Sequence, residues 1–203
     1  IISAHNICPS TLTDSEKEVN KSPEIKIDGT DTHFCFTYKY DWIFPKLIRE
    51  ILVRRNRVKE MLKKDKKDPA LNARQYGLKI LANSAYGYLG FFGARWYCKE
   101  CAASTTAYGR DYIKKLMERA EKEKLKVIYG DTDSIFISLG KGKSMKDAEK
   151  FLKDVNNDLP SLMELELDGF YKRGIFVTKK GDSEKGAKKK YALITEDKKI
   201  KIV

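Results

Sequence analysis

Histidine is nearly missing from this 203-residue chain, and the two present, His5 and His33, lack metal-ligand spacing. Cysteine is scarce as well: of the four, at 8, 35, 98 and 101, only Cys98 and Cys101 form a C-x-x-C pair. A structural zinc site needs two such pairs or added histidines, so zinc is not what organises this chain. The thiols read as buried, with a local Cys98–Cys101 disulfide as the alternative should the source be a hyperthermophile. No apolar run approaches the ~18 residues of a membrane span, which argues against a membrane partner. No internal repeat and no secretory leader are visible. The chain opens at Ile1 in mid-pattern and reads as a piece of something longer, so the missing leader carries no weight.

Acidic residues are also in deficit: 29 Asp and Glu face 41 Lys and Arg, leaving a formal charge of +12. A surplus of this size suits a polyanion partner, because Lys and Arg gain by displacing counterions from phosphates. Hydrophobic residues supply 41% and aromatics 11% of the chain. That is enough for a real core, and it excludes wholesale disorder.

Residues 1–33 are loop-rich, punctuated by Pro9, Pro23 and Gly29. Thr32–Tyr40 alternates and is aromatic, which predicts an extended segment. From Phe44 to Leu62 the apolar residues fall at helical spacing, with Pro45 well placed for a helix start. A charged turn ending at Pro69 leads to a second helix over about 70–85, so the two form an antiparallel hairpin. Gly87, Gly90 and Gly93 are expected to break the pattern. A third helix is predicted over 99–123, and a β-hairpin from Lys126–Ile128 and Ser134–Ser138. A fourth helix follows over 144–159, with Ser144 as its N-cap. Leu162–Asp168 alternates as a strand does, with Met163, Leu165 and Leu167 on one face and Glu164, Glu166 and Asp168 on the other. Ile175–Thr178 and Tyr191–Ile194 read as paired strands around an exposed, mobile KKGDSEKGAKKK turn. The fold class is α+β, combining an antiparallel sheet with packed helices and a helical hairpin.

Three clusters could carry chemistry. Asp131 and Asp133 stand two apart at a predicted hairpin tip, where both carboxylates can converge on one site for a hard cation. Mg²⁺ takes oxygen ligands and keeps positions open for phosphate oxygens. Lys79 and Asn83 are four apart on one helix face, with Tyr76 and Tyr86 near the same side. Such a face could hold a triphosphate and stack on a sugar and base, while Leu78, Leu81 and Ala85 on another side are expected to pack as core. Residues 46–67 hold ten Lys or Arg against three acids. Most of these read as a solvated face. Arg55 differs because it interrupts the apolar stripe, and Lys59 lies four residues on; a guanidinium there can grip phosphate with two prongs.

Together these pieces resemble the family B DNA polymerases, in particular the archaeal ones. LKILANSAYGYLG matches that family's second polymerase motif at Lys79, Asn83, Ser84, Tyr86 and Gly87, and YGDTDS matches the third. The intervening ARWYCKECAASTTAYGRDYI looks archaeal too, and the likeness spans nearly the whole chain. It implies that residues 1–38 and 87–203 are palm and 39–86 are the fingers. Asp131 and Asp133 would be catalytic and would hold two Mg²⁺ ions, shared with an Asp outside this chain. Asp168 is the best match among its neighbouring acids for an accessory metal carboxylate. Arg55, Lys59 and Lys79 would hold the triphosphate of a dNTP, with Asn83 in support and Tyr86 and Gly87 bordering the nascent base pair. Thr132 and the run Lys188, Lys189, Lys190, Tyr191 would touch primer–template DNA.

The same resemblance implies what the chain should lack. The family's first motif, with an Asp ligand and a ribonucleotide-excluding Tyr, would precede Ile1. The exonuclease would lie earlier still, and the thumb would begin after Val203. The expectation is therefore part of a DNA-directed DNA polymerase, inactive alone, in the cytoplasm and associated with the nucleoid. Its partners would be primer–template DNA, dNTPs and the remaining polymerase portions, in cis or as a separate polypeptide, with a sliding clamp as a further candidate. The alternative is a non-catalytic DNA-binding fragment or a subunit of a split polymerase. Reverse transcriptases and RNA-dependent RNA polymerases usually carry adjacent aspartates in the turn, and a metal-dependent nuclease leaves the helical hairpin unexplained.

Overall fold

Apolar residues at 44, 48, 51 and 58 make one stripe, and the chain forms helix α1 (Ile43–Lys64) to bury it. The computed structural model describes residues 1–27, 29–65, 67–140, 142–160, 162–179 and 182–202, without the side chains of 179, 182–186 and 188. No side chain caps the start of α1. Pro45 instead sits in the first turn, where a missing N–H costs nothing. Helix α2 (Pro69–Gly90) starts more firmly. Asp68 Oδ1 accepts from the Ala70 and Leu71 amides at 2.8 and 3.0 Å, and Pro69 presets the backbone. The two helices pack on each other as the expected hairpin.

Two expectations for α2 need correction. The helix runs on through Gly87 to Gly90. Glycine weakens a helix by only about 1 kcal/mol, and fully buried Leu89 anchors the last turn. The Leu89 carbonyl, which has no partner within the helix, accepts from Cys98 N–H at 3.0 Å. Nor does the Leu78–Leu81–Ala85 side form a core: Leu81 is 54% exposed, and Leu89 is the one buried residue of α2. A two-helix hairpin shields one stripe of each helix, and on α2 the half-buried positions 71, 75, 78, 82 and 85 lead to Leu89, a stripe that takes in Leu78 and Ala85 but leaves Leu81 outside.

The chain divides into two compact units. One comprises Ile1–Asp111 with Pro160–Met163, and the other Tyr112–Leu159 with Glu164–Val203. The first holds α1, α2, the start of α3 (Lys99–Lys122) and five short strands: β1 (Leu12–Thr13), β2 (Val19–Lys21), β3 (Ile25–Ile27), β4 (Thr30–Thr32) and β5 (Cys35–Thr37). They pair antiparallel as β1-β5-β2 and β3-β4. The expected extended run over 32–40 is thus split between β4 and β5. Cys101, Ser104 and Tyr108 form the buried stripe of α3 here. The Tyr108 ring stacks on His5 at 3.7 Å and its hydroxyl donates to the Lys21 carbonyl at 2.8 Å. All four cysteines are free thiols, and 8, 98 and 101 are buried.

In the second unit the rest of α3 packs with α4 (Met145–Asp158) around Leu116, Ala120, Leu125, Phe151 and Val155. Ser144 caps α4 as expected, and its N–H donates to Asp147 Oδ2 at 2.7 Å in a capping box. That hydrogen bond holds the Asp147 carboxyl below the usual range. Hairpin β6 (Lys126–Asp131) and β7 (Ser134–Ser138) lies against the same core, and β8 (Tyr171–Lys179), β9 (Asp182–Thr195) and β10 (Ile200–Ile202) form a sheet in the order β10-β9-β8.

Two strand expectations also change. Leu162–Asp168 is not a strand, for among the described residues no neighbouring strand completes its ladder. The side-chain amide of Asn156 stands in for one, accepting from Leu165 N–H at 2.8 Å and donating to Leu165 C=O at 3.0 Å. The pairing of Ile175–Thr178 with Tyr191–Ile194 holds, with Phe176 opposite Tyr191, but both strands continue into the supposed turn. Lys180 and Gly181 lie outside the described residues.

Candidate active site

Asp131 faces Ser134 across the last rung of β6–β7, so only Thr132 and Asp133 make the loop. A loop this short fixes both carboxylates relative to the strands. Thr132 has φ +25°, a left-handed setting that is unfavourable for a β-branched residue. Such strain is held where the surrounding structure enforces it. Thr132 Oγ1 donates to Asp131 Oδ1 at 2.9 Å. Asp131 is half-buried, and Asp133 is exposed. Gly130 next to them lies under the Met117 side chain of α3, whose terminal methyl would have to move aside for an added Cβ. The pair offers hard oxygen donors on a rigid support. No cluster of three or more His, Cys, Asp or Glu forms among the described residues. Two carboxylates with open positions suit Mg²⁺, which keeps waters and phosphate oxygens in its shell, rather than a zinc cage.

Tyr129, two residues before Asp131, is buried in a cluster with Phe136, Phe176 and Tyr191. Its hydroxyl donates to the Ala187 carbonyl at 3.0 Å and accepts from Lys189 N–H at 3.1 Å. The basic run thereby lies beside the acidic hairpin. Lys189 and Lys190 are exposed and Tyr191 half-buried, while the Lys188 side chain is outside the described residues. The sequence reading missed this bridge. The one hint was a Tyr where an apolar strand would accept a Phe.

Asp168 does not join Asp131 and Asp133 in a ligand cluster. Its Oδ2 accepts from Tyr171 Oη at 2.7 Å and Lys201 Nζ at 2.9 Å. The Tyr171 hydroxyl, and then Lys201, hold the Asp168 carboxyl below its usual range.

The remaining candidates lie in the first unit. Arg55 is half-buried, and its Nε is shielded from solvent without a hydrogen-bond partner among the described residues. A guanidinium N–H in that state is unusual and leaves a donor open to water, an ion or a ligand. Lys59 is half-buried and Lys79 exposed. Asn83 and Tyr86 line a cavity of about 300 Å³ together with Ile1–Ala4, Ile48 and Leu52. Gly87, one turn beyond Asn83, is exposed.

Comparison with known proteins supplies the deciding observation. The family model described as DNA polymerase family B matches residues 1–199. The chain belongs to DNA polymerase family B. This family B chain is 42% identical over 208 residues to DNA polymerase 1 of Pyrococcus abyssi (strain GE5 / Orsay), covering 98% of the chain and 25% of that protein. It is also 42% identical over 209 residues to the DNA polymerase of Thermococcus sp. (strain 9oN-7), with the same coverage of each. The solved structure of the family B DNA polymerase from the hyperthermophilic archaeon Pyrobaculum calidifontis matches all of it, and 25% of that chain, at 32% identity and a TM-score of 0.68. The family B chain thus spans about a quarter of the length of these relatives. Its α+β fold agrees with the structural match. No helix among the described residues is long and apolar enough to cross a membrane.

Proposed function

We propose that the protein forms part of a template-directed DNA polymerase, which joins a dNTP to a primer 3′-hydroxyl. The observation that carries the reading is the pair of carboxylates, Asp131 and Asp133, fixed by a two-residue loop within the YGDTDS motif. These two would hold the metals, with an Asp from outside the chain. Two Mg²⁺ ions, when bound, would lower the pKa of the attacking hydroxyl and neutralise the departing pyrophosphate. Asp168 would serve as an accessory carboxylate, with its Oδ2 engaged by Tyr171 and Lys201.

The chain's own work is positioning and charge compensation. Arg55, Lys59 and Lys79 hold the triphosphate, and the unpartnered Arg55 Nε supports its share. Asn83 steadies the nucleotide. Tyr86 and Gly87 border the new base pair and read its shape, while base pairing chooses the nucleotide. Thr132, Lys188, Lys189, Lys190 and Tyr191 bear on the primer–template backbone. In this reading residues 1–38 and 87–203 belong to the palm and 39–86 to the fingers. A chain spanning a quarter of its relatives' length is expected to be inactive alone and active with the remaining polymerase portions.

Primer extension tests the assignment. In the complete polymerase carrying this chain, Asp133→Ala is expected to abolish extension while primer–template affinity stays largely intact. Near-normal extension by that variant would overturn the metal-site reading.

A further inference from the structure

The strand that carries Lys188–Tyr191 is not a regular one. Phe176 pairs with Tyr191 and Thr178 with Gly186, so a single residue of β8, Val177, faces four of β9, 187–190. This is a special bulge with three extra residues on β9, and its backbone groups cannot all find ladder partners. Lys189 sits at φ +54°, outside the range a strand residue adopts. The hydroxyl of Tyr129 takes up two of the displaced groups, as donor to Ala187 C=O at 3.0 Å and acceptor from Lys189 N–H at 3.1 Å. A phenol can do both at once; a phenyl ring can do neither. The ring is held on its other sides by Phe136, Phe176 and Tyr191 at centroid distances of 6.0, 5.1 and 5.9 Å.

We propose that Tyr129 is a positioning residue. Its hydroxyl locks the bulge that presents Lys189 and Lys190 to the strand that carries Asp131, and so sets the register between the primer–template contact and the metal-binding carboxylates. The inference rests on the polymerase reading above. It adds a residue that touches neither metal nor substrate and acts through the backbone of Lys189. A small misplacement of a primer end costs rate before it costs affinity for the nucleotide.

The test has two parts. In the unsubstituted protein, hydrogen exchange of the Lys189 amide must be slow, as for ladder amides of β9 such as Leu193. Fast exchange would show that the bridge does not exist and end the proposal, whatever any variant does. Tyr129→Phe in the complete polymerase should then speed exchange at Lys189 by roughly tenfold, the factor that one net hydrogen bond supplies. It should lower kcat by a similar factor and leave KM for the dNTP unchanged. Phe136→Leu, which loosens the same aromatic cluster but keeps the hydroxyl, should retain Lys189 protection and kcat. If Tyr129→Phe keeps full kcat, or Phe136→Leu loses as much, packing alone explains the residue and the proposal fails. Either result can stand beside an inactive Asp133→Ala, which separates failure here from failure of the polymerase reading.

Discussion

Arg119 of α3 and Asp158, the last residue of α4, meet at 2.6 Å between Nη1 and Oδ2, while Arg119 Nε also approaches Glu123 at 3.5 Å. An acid at a helix C-terminus is unfavourably placed in the helix dipole, and the guanidinium offsets it. Asp158 is 70% exposed, so solvent screens most of the attraction. Arg119→Gln should cost about 0.5–1 kcal/mol. Urea unfolding checks this, and the difference should shrink in ~1 M salt.

Asp68 begins α2 with two hydrogen bonds from one carboxylate oxygen. Asp68→Ala leaves the Ala70 and Leu71 amides to solvent and should lower stability by about 1 kcal/mol. Asp68→Asn, which keeps the accepting oxygen, should recover most of the loss in the same thermal melts.

Asp168 carries a pH dependence whose sign follows from its partners. Tyr171 and Lys201 depress its folded pKa, so the unfolded chain takes up the proton more readily. The contribution is complete above the ordinary carboxylate pKa of about 4 and is lost as pH falls through the lower folded value. The carboxylate is 72% exposed, which limits the effect to a fraction of about 1 kcal/mol. Melting temperatures should therefore place Asp168→Asn slightly below the unsubstituted protein at neutral pH. The two should converge under acid.

Arg55→Lys keeps the charge and loses the fork. If Arg55 grips the triphosphate, KM for the dNTP should rise roughly tenfold or more, as expected when charge-assisted hydrogen bonds are lost. The melting temperature should stay within a degree or two, because Arg55 Nε has no partner among the described residues to lose. An unchanged KM would remove Arg55 from the nucleotide site.

Much of this is legible in the sequence alone. The four helices follow from periodicity and from local punctuation at Asp68, Pro69 and Ser144, signals that act within one turn. The acids of the hairpin and the Lys79–Gly87 face were legible as motifs. What escaped was non-local. Leu162–Asp168 has a strand's alternation but no strand beside it among the described residues, and no local pattern reveals that a side-chain amide at Asn156 serves its backbone. The extension of β8 and β9 depends on their mutual pairing, which overrides the turn chemistry of KKGDSEKGAKKK. Leu81 looked like core because periodicity says which residues share a side, not which side is covered. Tyr129 gives no local signal, because its hydroxyl matters only once a bulge in β9 arrives opposite it.

The glycines of α2 have a consequence of their own. A Cβ added at Gly77 or Gly87 would meet nothing within 4 Å, and neither residue has the positive φ that excludes side chains. Alanine at either site would make the helix firmer by about 1 kcal/mol. At position 87 the bare edge of peptide lies one turn from Asn83. A flat visitor can settle against that edge more closely than any methyl group would permit.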